Sequence, residues 1–388
     1  MTPTIKIIRT ATVPESLDVL LKGQLSFLNQ YYQVLAVSGS GAHLQNVADR
    51  EGVAVYPVEM ERRIAPLQDL KSLYRLYRCF KKERPSIVHS ITPKAGLLSM
   101  VAAKLAGVPI RMHTFTGLIF PSKAGLFQRL LIMMDKMLCR CATHIIPEGE
   151  GVKADLQRFR ITNKPMHIVA NGNVNGVDLD YFNKDRITIT NREQLKQELG
   201  IEANDYVFIF VGRLVRDKGI NELVQVFDTL SATDPRVKLL LVGPAEPELD
   251  PLLPETVQRI EQNRNIITVG LQKDVRPYFA ISQALVFPSY REGFPNVVLQ
   301  AGAMELPSIV SNISGCNEII REGVNGAIIP SKDADSLLQA MKMFLARQEE
   351  ISTWSKAARE IVEQKYSREV VWAATKALYD QKLAERLG

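Results

Sequence analysis

The feature that most constrains this chain is an alternation, run through twice, of short apolar strand-like segments and longer helix-like ones. The first series reads as strands at residues 5–8, 34–38, 53–58, 87–91, 110–114 and 144–147, with helices at 15–29, 42–51, 66–83, 95–106 and 125–140. The second reads as strands at 207–211, 237–242, 266–269, 284–287, 308–311 and 327–329, with helices at 222–231, 251–263, 275–280 and 295–304. Three helices finish the chain, at 334–346, 349–365 and 369–387, the last behind a Ser367 cap. Strands that alternate with helices imply a parallel sheet covered on both faces, so the fold class is α/β. Two such series in 388 residues imply two domains. Between them Asn171-Gly172-Asn173-Val174-Asn175-Gly176-Val177-Asp178 is rich in turn formers, and the polar, aperiodic stretch 183–192 reads as the linker.

In doubly wound sheets ligands sit outside the C-terminal ends of the strands. Two loops in the second series fall there. The first is 288–301, running from Pro288 through Glu292-Gly293-Phe294-Pro295-Asn296-Val297 into an apolar helix. Pro295 suits the first helical position, where a missing N–H costs nothing. The amides of Asn296, Val297 and Val298, with the helix dipole, would attract a phosphate, and Glu292 just before them would hold ligand hydroxyls. The second loop is Val211-Gly212-Arg213-Leu214-Val215-Arg216-Asp217-Lys218-Gly219. Arg213 and Lys218 could clamp a diphosphate. The alternative is a solvated turn whose charges pair with Asp217 or Glu222.

Composition excludes several classes. Apolar residues make up 46% and charged residues 23%, a globular profile. No apolar run approaches the roughly 18 residues of a membrane span. The start reads as a strand, so no secretory leader is expected. Four cysteines, Cys139 and Cys141 among them as C-x-C, fit neither a disulfide framework nor a zinc site, and a reducing cytoplasmic setting is the expectation. Charge is uneven: residues 1–186 carry 25 Lys and Arg against 15 Asp and Glu, whereas the remainder is net acidic. Two readings stand for the basic half, an anionic partner or an ordinary solvated surface.

Arg213, Lys218, Gly219 and the run from Glu292 to Ala301, with Asn175-Gly176-Val177-Asp178 before the linker, resemble the donor site of retaining glycosyltransferases of the family-4 type. The resemblance covers nearly the whole chain. It implies a GT-B fold: two Rossmann-like domains, 1–182 and 183–366, facing across a cleft, with the helix of 367–388 returning to the first. It implies that Arg213 and Lys218 stabilise a departing diphosphate, that Glu292 bonds donor-sugar hydroxyls, and that Gly212, Leu271, Gly293, Phe294, Pro295, Asn296 and Val297 line the donor site. The family's second Glu, on the ribose, is here Gln300, whose amide can still bond a diol. In the first domain Gly23 and Thr116 are implied at the donor. His113 is a catalytic candidate, imidazole being a base near neutral pH, with a buried core histidine as the alternative. Ser16, His89, Thr92 and Lys94 are expected at the acceptor, although Ser16 can equally cap a helix.

The residues contain no nucleophile–base–orienter set and no metal-ligand cluster. This fits a metal-independent transfer without cofactor, in which the leaving phosphate takes the acceptor proton. The expected partners are a nucleotide sugar, UDP-linked by family frequency, and a lipid-diphosphate-linked saccharide of bacterial surface polysaccharide synthesis; nucleic acid is not expected. The stretch 123–140 mixes Leu126, Phe127, Leu130 and Met133 with Lys123, Arg129, Lys136 and Arg140. Peripheral contact with the inner membrane face is one reading of it, and packing on the sheet the other. A sugar-nucleotide 2-epimerase and a non-catalytic nucleotide-sugar binder are the alternatives. A dinucleotide oxidoreductase would need a G-x-G-x-x-G after the first strand, which 10–14 lacks.

Overall fold

The structure, a computed structural model, describes residues 5–387 apart from 62, 247 and 249. Its residues group into two units, Met1–Gly176 with Arg368–Gly388, and Val177–Ser367.

The first unit holds strands β1 (Lys6–Thr10), β2 (Gln33–Ser38), β3 (Ala54–Pro57), β4 (Ile87–Ile91), β5 (Ile110–Phe115) and β6 (His144–Pro147). All pairings are parallel, in the order β3-β2-β1-β4-β5-β6. Its helices are α1 (Pro14–Leu20), α2 (Gln24–Asn29), α3 (Ala42–Glu51), α4 (Pro66–Glu83), α5 (Pro93–Ala106), α6 (Gly125–Cys141) and α7 (Glu150–Arg158). Successive strand residues point to opposite faces, so Ile8 and Val88 pack with Leu76, Phe80 and Leu138. Ile7 and Ile87 pack on the other face with Leu17, Leu25 and Tyr379.

The second unit begins with α8 (Ile189–Glu198) and continues β7 (Tyr206–Val211), α9 (Ile220–Thr233), β8 (Val237–Val242), α10 (Pro254–Gln262), β9 (Ile266–Gly270), α11 (Arg276–Ala280), β10 (Ala284–Phe287), α12 (Asn296–Ala303), β11 (Ser308–Ser311), α13 (Cys316–Ile319), β12 (Gly326–Ile329), α14 (Ala334–Ala346) and α15 (Gln348–Tyr366). The strand order is β12-β11-β10-β7-β8-β9, again parallel. Strands buried on both faces are apolar almost throughout, as YVFIFV in β7 shows. The last helix, α16 (Arg368–Leu387), packs on the first unit. There Tyr379 OH accepts from the buried Arg9 Nη1 at 2.7 Å, and Trp372 Nε1 donates to Asn175 Oδ1 at 2.8 Å.

Three sequence expectations change. The helix expected over 15–29 is two helices, broken at Gly23, which has φ +84°. The place a Cβ would occupy there lies 2.7 Å from the Trp372 ring, and the Gly23 amide donates to Glu51 Oε1 at 2.8 Å. The need for glycine at 23 is therefore accounted for by the packing of α16. The stretch 183–192 is not a plain linker: it enters α8, capped where Thr188 Oγ1 accepts from the Asn191 amide. No residue of α8 is buried, so it lacks the apolar stripe by which helices are recognised. The divide falls at 176/177 because Val177 donates to the Tyr366 carbonyl at 2.8 Å, and Leu179 and Phe182 pack on the second core.

Candidate active site

In the second sheet β7 and β10 are neighbours, and the chain runs outward from them in opposite directions. This is the topological switch point, where two adjacent loops part and leave a crevice at the strand ends. Lys218 lies after β7 and Glu292 after β10. The structure brings them into contact: Lys218 Nζ donates to Glu292 Oε1, which also accepts from Ser289 Oγ at 2.8 Å. Both side chains of the pair are mostly buried, with 17% and 16% exposed. Lys218 Nζ also sits 5.5 Å from the centre of the Phe287 ring.

A glycine makes this contact geometrically possible. Gly219 has φ +71°, and any Cβ there would collide with the Pro288 carbonyl. The two loops are stitched further. Tyr290 N–H donates to the Asp217 carbonyl (2.9 Å), Tyr290 OH to Glu222 Oε1 (2.5 Å), and Arg291 Nε to Asp217 Oδ2 (2.9 Å). The charges of the first loop thus pair across to the second loop and not only among themselves.

Arg213 stands apart from that pair. It leaves the end of β7 beside Gly212, is 48% exposed, and its Nη1 bonds Glu246 Oε2 at 2.7 Å. Leu271, just past β9, is 76% exposed at the same edge of the sheet. Gly243, after β8, was not singled out from sequence. Its absent side chain leaves room for the Gly212 carbonyl, which shapes the turn that carries Arg213.

The α12 start differs in detail from the sequence expectation. Pro295 is the N-cap, with φ −74° and ψ 106°, and Asn296 is the first helical residue. The Val298 amide bonds the Pro295 carbonyl at 3.1 Å, so it does not point outward as expected. The Val297 amide has no carbonyl within the helix to bond. Gly293 faces the loop after β11, where a Cβ on Gly315 would lie 2.6 Å from the Gly293 oxygen. Phe294 is buried with its ring centre 5.5 Å from that of Tyr366, which fixes the helix entry. Gln300 is half-buried and lies one turn along α12 from Asn296, on the same face. Sequence reasoning missed the Gly315 loop and gave the Ser289 hydroxyl no role. The first was signalled only by a glycine after a strand, the second only by its spacing from Glu292.

In the first unit the candidates are largely occupied by their own neighbours. His113 is buried and its Nδ1 bonds Ser90 Oγ at 2.8 Å. Burial pushes its pKa down to about 3, too weak a base for proton abstraction near neutral pH, so it is a core histidine rather than a catalytic one. His89 is buried with both nitrogens engaged, Nδ1 with Tyr379 OH (2.5 Å) and Nε2 with Thr114 Oγ1 (2.7 Å). It is thereby removed from the acceptor set. Lys94 is buried too; its ammonium pairs with Asp69 at 2.8 Å and bonds the Arg63 carbonyl, which leaves its charge already compensated. Thr92, at φ +69°, closes on Thr12: its Oγ1 accepts from the Thr12 amide at 3.0 Å. Ser16 lies inside α1, whose N-cap is Val13, so it is no helix cap. Thr116 is half-buried in the loop after β5. Among the described residues no group of His, Cys, Asp and Glu could hold a metal ion.

The comparisons with known proteins agree in kind. A model of the family "Glycosyl transferases group 1" matches residues 191–361, and one of a "Glycosyl transferase 4-like domain" matches residues 29–172. The chain is 32% identical over 386 residues to the capsular polysaccharide biosynthesis glycosyltransferase CapM of Staphylococcus aureus, with 99% of each chain covered. It is 28% identical to an Escherichia coli UDP-Gal:alpha-D-GlcNAc-diphosphoundecaprenol alpha-1,3-galactosyltransferase, over 81% of this chain and 80% of that one. Among solved structures, Anabaena Alr3699/HepE in complex with UDP and glucose superposes with a TM-score of 0.80 at 16% identity. That match covers 97% of this chain and all of the other. At such identity the likeness speaks for the fold, two Rossmann-like units of the GT-B kind.

Proposed function

The chain belongs to the group 1 glycosyltransferases, and on that premise we propose that it is a retaining transferase moving a hexose or N-acetylhexosamine from a UDP-sugar to a polyprenyl-diphosphate-linked saccharide. The observation that carries this reading is the meeting of Lys218 and Glu292 across the switch point, beside the start of α12. A cation, a carboxylate and a helix N-terminus are the groups a sugar diphosphate needs.

In the proposed reaction the bond from the anomeric carbon to the diphosphate oxygen breaks, and the bond to the acceptor oxygen forms on the same face. The acceptor proton passes to the departing phosphate. Lys218 and the Val297 amide take up the negative charge that develops on the diphosphate. Arg213 joins them by exchanging Glu246 for phosphate. Glu292 holds donor hydroxyls, and Ser289 keeps its carboxylate oriented. Gln300 is proposed at the ribose. The relatives support the donor and acceptor classes, since the E. coli protein is named for UDP-Gal and a diphosphoundecaprenol acceptor. The basic first unit suits work at an anionic surface, and no described helix is long and apolar enough to cross a membrane.

The test is a screen of nucleotide sugars for thermal stabilisation, followed by transfer to α-D-GlcNAc-diphosphoundecaprenol and related acceptors. Glu292→Ala should abolish transfer while UDP still binds. Normal transfer by that variant would falsify the site assignment.

A further inference from the structure

A cavity of about 90 Å³ lies in the first unit, beside the C-terminal ends of β4 and β5 and under α6. Four of its polar lining groups are turned to other partners. Lys94 is held by Asp69, His113 by Ser90, Thr114 by His89, and Thr92 by Thr12. What remains facing the space is chiefly Leu97, Leu118, Phe120, Leu131 and Met134, with the half-buried Thr116 hydroxyl and Asp135 carboxyl at its polar end. A sugar ring would find few hydrogen-bond partners there, and each hydroxyl it left unpaired would count against binding. The space is smaller than the ~150 Å³ that admits benzene into an apolar cavity, and suits roughly one branched five-carbon unit.

The cavity does not end in polar surface. Its lining residue Ile119 is exposed, and α6, which supplies Leu131 and Met134 inward, carries Leu126, Phe127, Leu130 and Met133 outward. Leu126 is 82% exposed. Lys123, Arg129, Lys136 and Arg140 stand among them along the same stretch. One helix therefore offers an apolar interior on one side and an apolar outer strip set among cations on another. That pattern matches a hydrocarbon chain joined to a polyanionic head.

We propose that this cavity receives the isoprene unit nearest the diphosphate of the acceptor lipid, with the rest of the chain running out along α6. The inference rests on the acceptor class proposed above and deepens it.

The experiment measures binding to the full chain by calorimetry with UDP saturating, so that the donor site is filled. The probes are inorganic diphosphate, dimethylallyl diphosphate, pentyl diphosphate and farnesyl diphosphate. The expected result is at least a tenfold gain in affinity from inorganic to dimethylallyl diphosphate. A smaller gain is expected for the unbranched pentyl chain, and farnesyl diphosphate should add little beyond its first unit. Met134→Trp, which fills the cavity, should erase the dimethylallyl gain while UDP affinity stays unchanged. If that variant does not fold, the wild-type series alone decides the matter. Equal affinity for inorganic and dimethylallyl diphosphate overturns the inference, as does a gain that survives Met134→Trp. The transferase reading is tested separately by UDP-sugar turnover, so either can fail while the other stands.

Discussion

Asp135 offers a perturbation whose size follows from the structure. Its carboxyl lines the α6 cavity, and burial alone raises its pKa from 3.8 to about 7. The folded protein therefore keeps a proton that the unfolded chain releases near pH 4. The sign follows from linkage: the folded state binds more protons between those two values, so stability falls as pH rises through the window, and the loss is complete above about 7. At about 1.36 kcal/mol per pKa unit, the interval from pH 5 to pH 7 is worth at most about 3 kcal/mol, less where water still reaches the carboxyl. For a unit of this size that is a Tm decrease of up to about 6–12 °C. Asp135→Asn carries no proton to lose and should lack this decrease. The assay is thermal unfolding of both proteins at pH 5 and pH 8, followed by circular dichroism. Other groups titrate in the same range: burial pushes His113 to about 3 and His144 to about 4, which destabilises the fold as pH falls. They act in both proteins and cancel in the comparison. If the two Tm values shift in parallel to within about 1 °C, Asp135 does not hold the proton and the cavity is wetter than the side-chain packing implies.

Lys218→Met should lower kcat by about 10²–10³ without unfolding the protein, as expected when one group that stabilises developing charge is removed; unchanged turnover would refute its role. Gly219→Ala puts a methyl against the Pro288 carbonyl at φ +71° and should cost roughly 1–2 kcal/mol from backbone strain alone. Melting should therefore fall by several degrees and transfer more steeply, because the Lys218–Glu292 contact opens; a variant with normal melting and turnover would contradict this. Gln300→Glu restores an ionised acceptor on α12 and should tighten UDP binding about fivefold by calorimetry, in line with the greater strength of charged hydrogen bonds. Unaltered affinity would remove Gln300 from the ribose.

The strands were legible because each is a short apolar run between turn formers, and the parallel order follows from the intervening helices. The helices that escaped were those without contrast. α8 buries nothing, and α7 buries only Val152 and Leu156, one pair at i, i+4. The Lys218–Glu292 pairing is a contact across 74 residues, which no local pattern encodes. Only the glycine at 219 hinted that two backbones approach. His113 and His89 show the opposite error. A histidine at a strand end looks reactive in sequence, but both are buried, His89 with both ring nitrogens bonded and His113 with Nδ1 on Ser90. Gly23, implied at the donor only by resemblance, sits in a helical pattern where glycine is costly unless something comes close, and here that is the ring of Trp372.

The two units share one topology, yet a phosphate grip is proposed in only one, and the reason lies in corresponding helix starts. In each sheet the chain passes a switch point, between β1 and β4 in one and between β7 and β10 in the other. α5 follows β4 as α12 follows β10. At α5 the Thr12 hydroxyl accepts from the Ala95 amide at 3.0 Å, and Thr12 and Thr92 bond each other at 2.8 Å. The Ala95 amide of that helix start is therefore satisfied from within. At α12 the N-cap is a proline, which has no side-chain acceptor to offer, and the loop facing it brings an ammonium instead of a hydroxyl. A helix N-terminus capped by the protein has no amide left for an anion, whereas one beside a lysine attracts it. The proposed division of labour between the units follows from this exchange of Thr12 for Lys218 at corresponding strand ends.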